Sequence, residues 1–289
     1  MITCDLKGGL GNQLFQIMAT IAYCVQHKLP FIFPYSEMLN ERPTYWHNLF
    51  VNIKQYTSAP INFKNSDEIR DILYQHPKYE EPSFTYSEIP KYNDIMLCGY
   101  FQSYKYFDNI QTKIHGIFDI KYKQIQSRNE FPDLLDSPNT ISMHFRMGDY
   151  KHKQEFHAIL PVDYYINAMN CIDSLNIVNC PCKVLVFGEQ EDHEEIQDKL
   201  KYIKENINMD ATFVIVDSAI PDWKQMLMMT CCEVNIIANS TFSWWGAYLN
   251  NNTKKVLYPD IWFGPSINSS TLDLFPDDWT KVSCQKIDC

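Results

Sequence analysis

Thr140-Ile141-Ser142-Met143-His144-Phe145-Arg146-Met147-Gly148-Asp149-Tyr150 is the stretch whose reading decides the fold. Its first residues are apolar or β-branched and read as a buried strand. The remainder reads as the loop beyond that strand. In open α/β sheets, ligands bind just past the carboxyl ends of strands. An Arg fixed there presents a planar, permanently charged fork that suits a phosphate. Gly148 lets a backbone or a ligand come close. The same residues also allow a plain Arg146–Asp149 salt bridge.

Outward from this stretch the chain alternates. Strands are expected at 140–145, 183–187, 212–216, 234–238 and 255–258, and helices at 162–175, 191–205, 223–232 and 242–250. Repeated βα units imply a parallel sheet with helices on both faces. Upstream, 1–6 reads as a strand, 7–11 as a Gly-rich turn and 12–26 as a helix, with Leu14, Ile17, Met18, Ile21 and Val25 at helical spacing. Residues 31–33 and 94–98 read as strands and 104–118 as a helix, while 36–91 gives no clear pattern. The polar stretch 133–139, which follows Pro132 and contains Pro138, marks the domain boundary. The expected architecture is α/β: two Rossmann-like domains, 1–138 and 139–289, facing a central cleft.

The chain has 289 residues, 45% of them apolar, enough for packed cores. A formal charge of -10 excludes a basic nucleic-acid footprint. No apolar run reaches the ~18 residues that span a bilayer, and no signal peptide is legible, so a cytoplasmic protein is expected. Most of the ten cysteines lie in apolar stretches, as free thiols of a reducing compartment do. Cys180-Pro181-Cys182 lacks the second pair a zinc site needs. There is no Asp-x-Asp carboxylate pair for a divalent ion, so no metal is expected.

Three further segments carry chemistry. Gly8-Gly9-Leu10-Gly11-Asn12-Gln13 lies between a strand and a helix, where backbone amides favour an anion. It is half of a dinucleotide fingerprint. The third Gly is replaced by Leu14 and no acid ends a second strand, which argues against a nicotinamide cofactor. The plain alternative is a tight turn capped by Asn12. Asn239-Ser240-Thr241-Phe242-Ser243-Trp244-Trp245-Gly246 follows another buried strand. Ser240 and Thr241 can cap the next helix or hold a phosphate, Phe242 can pack on a base or sugar, and Trp244 and Trp245 read as core. Gly99-Tyr100-Phe101-Gln102-Ser103-Tyr104-Lys105-Tyr106-Phe107 combines aromatic faces with amides and hydroxyls, which suits carbohydrate.

Segments 8–13, 99–107, 144–150, Phe156-His157 with Asp163-Tyr164-Tyr165, and 236–249 occur in the order and spacing of one family. From about residue 1 to 263, ending at Trp262-Phe263, the chain resembles the α-1,2-fucosyltransferases of glycosyltransferase family 11. The resemblance implies a GT-B-like fold. It also implies inverting, metal-independent transfer of L-fucose from GDP-fucose, with a terminal β-galactoside 2-hydroxyl as acceptor. The family's second adjacent Arg is Met147 here, and its Ser-Asp-Asp is replaced by Gly188-Glu189-Gln190-Glu191-Asp192.

Arg146 is therefore expected on the diphosphate, assisted by Gly9, Gly11, Asn12, Gln13, Asn239, Ser240, Thr241 and Phe242. His144 is expected to touch the ribose or order the loop. Asp222 is expected at the guanine edge or as a helix cap. Asp149 is the nearest candidate base, with Glu155 and His157 as alternatives. Tyr100, Gln102, Glu155 and His157 form the acceptor-side set. Two other readings share these residues: a transferase for another GDP-deoxyhexose, and a nucleotide- or glycan-binding module without turnover.

Overall fold

The computed structural model describes residues 1–59 and 71–286. Of the unassigned stretch 36–91, residues 60–70 lie outside the described residues. The chain forms two compact units, Met1–Ile120 with Ser269–Pro276, and Lys121–Asn268 with Asp277–Cys289. Both are α/β with parallel sheets, the expected class.

In the first unit, β1 (Ile2–Cys4) leads to α1 (Leu10–His27), followed by the two-residue strands β2 (Met38–Leu39) and β3 (Arg42–Pro43), then β4 (Lys78–Glu80), β5 (Ile95–Cys98) and α2 (Gln111–Phe118). The parallel sheet runs β1-β5-β4, and Phe31 adds a bridge to the other side of Ile2. With neighbours on both sides, β1 is buried throughout, which is why it reads as a continuous rather than alternating strand.

Helix α1 departs from the sequence expectation. It starts at Leu10, and it is buried almost all round from Leu10 to Cys24, whereas Val25 is exposed. Two of its buried polar side chains are hydrogen-bonded. Gln16 accepts from the Lys7 amide at 2.8 Å and donates to the Lys7 carbonyl at 3.0 Å, and Thr20 donates to the Gln16 carbonyl at 2.8 Å. The expected helix 104–118 begins instead as two 3-10 turns, Tyr104–Tyr106 and Asp108–Ile110, because the Ser103 hydroxyl caps the first turn and Phe107 leaves helical geometry.

The second unit opens with α3 (Ile120–Glu130) and the short α4 (Pro132–Leu135). Sequence reading puts the boundary at 138/139, and both helices lie before it. Hydrogen bonds explain their place in the second unit. Gln124 donates to the Thr230 carbonyl at 2.9 Å, and Arg128 donates to the carbonyls of Leu135 and Cys231 at 2.6 and 2.7 Å. These polar anchors leave no apolar periodicity to read.

The rest follows as β6 (Thr140–His144), α5 (Val162–Ser174), β7 (Cys182–Phe187), α6 (His193–Glu205), β8 (Ala211–Ile215), α7 (Asp222–Met229), β9 (Val234–Ile236), α8 (Thr241–Tyr248), β10 (Lys255–Pro259) and β11 (Thr280–Val282). Every pairing is parallel, in the order β11-β10-β9-β6-β7-β8. Numbered from β6 and read from β8, this is 3-2-1-4-5-6, the Rossmann order. The order reverses between β6 and β9, and a parallel sheet of this kind binds ligands at that point. Ile141, Met143, Val184, Val186, Val234 and Ile236 pack against α5 and α6 through Tyr164, Tyr165, Met169, Ile196 and Leu200. Leu185, Phe187, Met228, Met229 and Cys232 fill the other face.

Cysteines 4, 24, 98, 171, 180, 182, 231, 232 and 284 are free thiols. Burial pushes the thiols of Cys4 and Cys24 up to about 12, so they pack as small apolar groups. Among the described residues no helix is long and apolar enough to cross a membrane.

Candidate active site

The loop beyond β6 is built around Arg146. Its guanidinium is paired on one side with Asp149, three residues on, and on the other with Glu189 from the loop after β7. Register explains the second pair. His144 lies opposite Phe187 at the end of the ladder, so two residues further on Arg146 meets Glu189. The guanidinium carbon sits 4.8 Å from the Tyr150 ring centroid, and Tyr150 stacks on His157 at 4.4 Å and 14°. Burial lowers the His157 pKa. Gly148 carries φ +26, and a Cβ there would run into the Glu189 carboxylate. Its amide donates to buried Asp192 at 2.7 Å, and Asp192 also holds Lys151 at 2.7 Å. Met147 lies in the apolar core, so this position faces away from the charged loop.

His144 is buried, with Nδ1 2.9 Å from the Ser243 hydroxyl and its ring 5.5 Å from that of Phe242. Desolvation, with Arg146 nearby, pushes its pKa down to about 3, so the imidazole is neutral. Ser243 also accepts from the Ala238 amide at 3.2 Å. It thereby ties the ends of β6 and β9 together at the point where the sheet order reverses.

After β9, Ser240 caps α8 by accepting from the Phe242 amide at 3.3 Å, and Thr241 is the first helical residue. Asn239 spends both amide hydrogens on the carbonyls of Ala158 and Trp262, at 2.8 and 3.1 Å, so its side chain braces neighbouring loops. Its carbonyl accepts from the Tyr150 hydroxyl at 3.2 Å. Trp244 and Trp245 are core residues. Asp222 is the first residue of α7, behind Pro221, and its carboxylate accepts from the Trp223 amide at 2.7 Å. Glu155 is exposed, and its carbonyl accepts from the Ser266 amide at 2.8 Å.

The Gly-rich turn belongs to the first unit. Gly9, not Asn12, is the N-cap of α1; no side chain caps this end and no acid lies in its first turn. Gly11, Asn12 and Gln13 are therefore inside the helix, and Gly11 and Gln13 are buried. Gln13 donates to the carbonyls of Gly8 and Pro43 at 3.0 and 2.8 Å, which fixes the turn. Asn12 accepts from Gln102 at 3.0 Å. Tyr100 is exposed, with Lys7 5.0 Å from its ring centroid. Beneath them Glu81 accepts from the amides of Tyr100 and Phe101 at 2.8 and 2.9 Å, and burial raises its pKa.

The sequence profile of Glycosyl transferase family 11 matches residues 1–282. The chain belongs to glycosyltransferase family 11. It is similar to the O-antigen biosynthesis glycosyltransferase WbnK of Escherichia coli, with 28% identity over 98% of this chain and all of WbnK. An alpha-1,2-colitosyltransferase of Escherichia coli is 25% identical over 98% of this chain and 99% of its own. A galactoside 2-alpha-L-fucosyltransferase of Caenorhabditis elegans is 24% identical, covering 96% of this chain and 75% of that one.

In this family 11 glycosyltransferase, structure gathers Arg146, Asp149, His144, Phe242 and His157 around the ends of β6 and β9. It puts Tyr100 and Gln102 in the first unit and Glu155 and His157 in the second. Sequence reading missed three contributors. Glu189 was visible only as a departure from the family pattern, Ser243 as a helix residue, and Glu81 as part of an unassigned stretch. The signal for Glu189 lies in strand adjacency: once β6 and β7 are known neighbours, the two residues align.

Proposed function

We propose that this glycosyltransferase transfers L-fucose from GDP-fucose to the 2-hydroxyl of a terminal β-galactoside, with inversion and without a metal ion. The observation that carries the reading is Arg146 beyond β6, where the order of a Rossmann sheet reverses. Relatives named as galactoside 2-alpha-L-fucosyltransferases support fucose and the galactoside.

The costly event is rupture of the fucose–phosphate bond, which builds charge on the leaving diphosphate. A preorganised cation aimed at that charge is the largest available help. Arg146 fills this role. Tyr150 supports the guanidinium from below, and Asp149 orients it. Neutral His144 offers a hydrogen bond without adding charge. The N-terminal ends of α8 and α1, with Ser240, Thr241 and Gly9, supply further positive potential in their own units. The acceptor proton has three candidate takers on one segment: Asp149, Glu155 and His157. In a dissociative transition state that proton leaves late, so a strong base is unnecessary.

Calorimetric titration of GDP-fucose and GDP-mannose with EDTA present tests the reading. The expected result is binding of GDP-fucose that weakens in Arg146→Ala, followed by α-1,2-fucosylation of a β-galactoside. Failure of a folded protein to bind either nucleotide sugar overturns it. The similarity to an alpha-1,2-colitosyltransferase supports a second reading, with another GDP-deoxyhexose as donor. A donor panel separates the two.

A further inference from the structure

The charges around Arg146 do not make an open anion site. Arg146 and Lys153 pair with Glu189 and Asp149, and beside them Lys151 pairs with Asp192 and Glu195 in a second set, the two sets being linked through the Gly148 amide on Asp192. Both terminal nitrogens of the Arg146 guanidinium already hold a carboxylate. A phosphate binds guanidinium best through two parallel N–H bonds. With a carboxylate on each terminal nitrogen, displacing one of the acids gives a phosphate the free end-on fork.

The two acids are not equally held. Asp149 sits in the same turn as Arg146, and its second oxygen lies 3.5 Å from Lys153. Glu189 reaches over from the neighbouring loop, is 48% exposed, and among the described residues pairs with Arg146 alone. Its carboxylate occupies the space above Gly148 that a side chain would fill. Release of Glu189 returns a long side chain to water and restores its rotamer freedom. Release of Asp149 would break two ion pairs and loosen the turn.

We infer that Glu189 is a built-in occupant of the Arg146 anion site, displaced by the diphosphate of the nucleotide sugar, so that residue 189 sets donor affinity. This rests on the reading that Arg146 receives that diphosphate.

The test is calorimetric titration of GDP and, separately, inorganic pyrophosphate into the full chain and into Glu189→Gln, Glu189→Asp, Arg146→Ala and the Arg146→Ala/Glu189→Gln double variant. Glu189→Gln keeps the shape and removes the competing charge, so both ligands should bind about ten-fold tighter, the scale of one lost charge-assisted hydrogen bond. The gain should vanish in the double variant. In turnover, donor KM should fall more than kcat changes. Glu189→Asp, whose shorter arm reaches the guanidinium poorly, should show part of the gain and serves if the Gln variant misfolds. Unchanged or weaker binding in both Glu189 variants overturns the inference and makes Glu189 an orienting partner. If Arg146→Ala weakens binding while the Glu189 variants do nothing, only this inference falls. If binding is independent of Arg146, the diphosphate reading falls and takes this inference with it.

Discussion

The loop after β6 and the turn after β1 both follow a buried parallel strand, yet they are held by opposite means. The first is a network of full charges, with Arg146 between Asp149 and Glu189 and Lys151 on Asp192. The second is fixed by neutral groups, the amide side chains of Gln13 and Gln16, and by backbone conformation at Gly8. A charged network can exchange one partner for a ligand at modest cost, because each carboxylate regains hydration when released. A turn closed by hydrogen bonds between neutral groups has no such exchange and acts as a fixed surface.

Removing the cation gives the largest expected break in this comparison. Arg146→Ala should remain folded and lose ~100-fold or more of kcat, the scale of losing one preorganised charge stabiliser. Near-normal turnover in the folded variant would leave the charged loop without a catalytic role.

Acid comes next, and it acts on the end of β6. The His144 pKa is pushed down to about 3 by burial, against ~6.5 in the unfolded chain. The unfolded state thus binds the proton more readily. Stability from this group is complete above pH ~6.5 and is lost as pH falls toward 3, by about 2 kcal/mol at pH 5. Chemical unfolding at pH 7 and pH 5 should show this loss, and His144→Gln should flatten it. An unchanged pH dependence in that variant would refute the assignment.

The turn after β1 breaks differently. Gly8 has φ +81, and a Cβ there would lie 2.5 Å from Asn12 Nδ2. Gly8→Ala should therefore cost ~1–3 kcal/mol of stability. Gly9 has φ -76 and open space where a Cβ would go. Gly9→Ala should leave thermal stability within ~0.5 kcal/mol. If turnover nevertheless collapses in Gly9→Ala, a ligand approaches that backbone. If turnover is kept, the turn is purely structural. The smallest effect is expected at the cap of α8, where Ser240→Ala should cost ~1 kcal/mol by denaturant midpoint. A much larger loss of donor binding than of stability would show that Ser240 touches the donor.

Much of the second unit was legible because its strands and helices carry their own periodicity. Strands 183–187 and 255–258 came within a residue or two of their true ends. What was not legible has particular causes. Helix α3 is fastened by Gln124 and Arg128 to distant carbonyls, so its polar face gives no amphipathic signal. Strand β11 is three residues at a sheet edge, defined by β10 rather than by its own sequence. Helix α1 is buried almost all round to Cys24, so the helical spacing of Leu14, Ile17, Met18, Ile21 and Val25 does not mark its buried face, and Val25 is exposed. At the site, Arg146, His144 and the 239–242 segment could be picked out by type and position. The use of Asn239 as a loop brace and of Gln13 as a turn clamp could not.

The sequence by itself determined the βα alternation, the turn glycine at 8 and an Arg placed past a buried strand, because these depend on local periodicity and backbone sterics. Tertiary structure decided which strands are neighbours. Parallel neighbours in a sheet are brought together by crossover helices, and their loops meet only when register is fixed. For that reason the partner of Arg146 across the sheet, Glu189, is a property of the β6–β7 ladder and not of either motif.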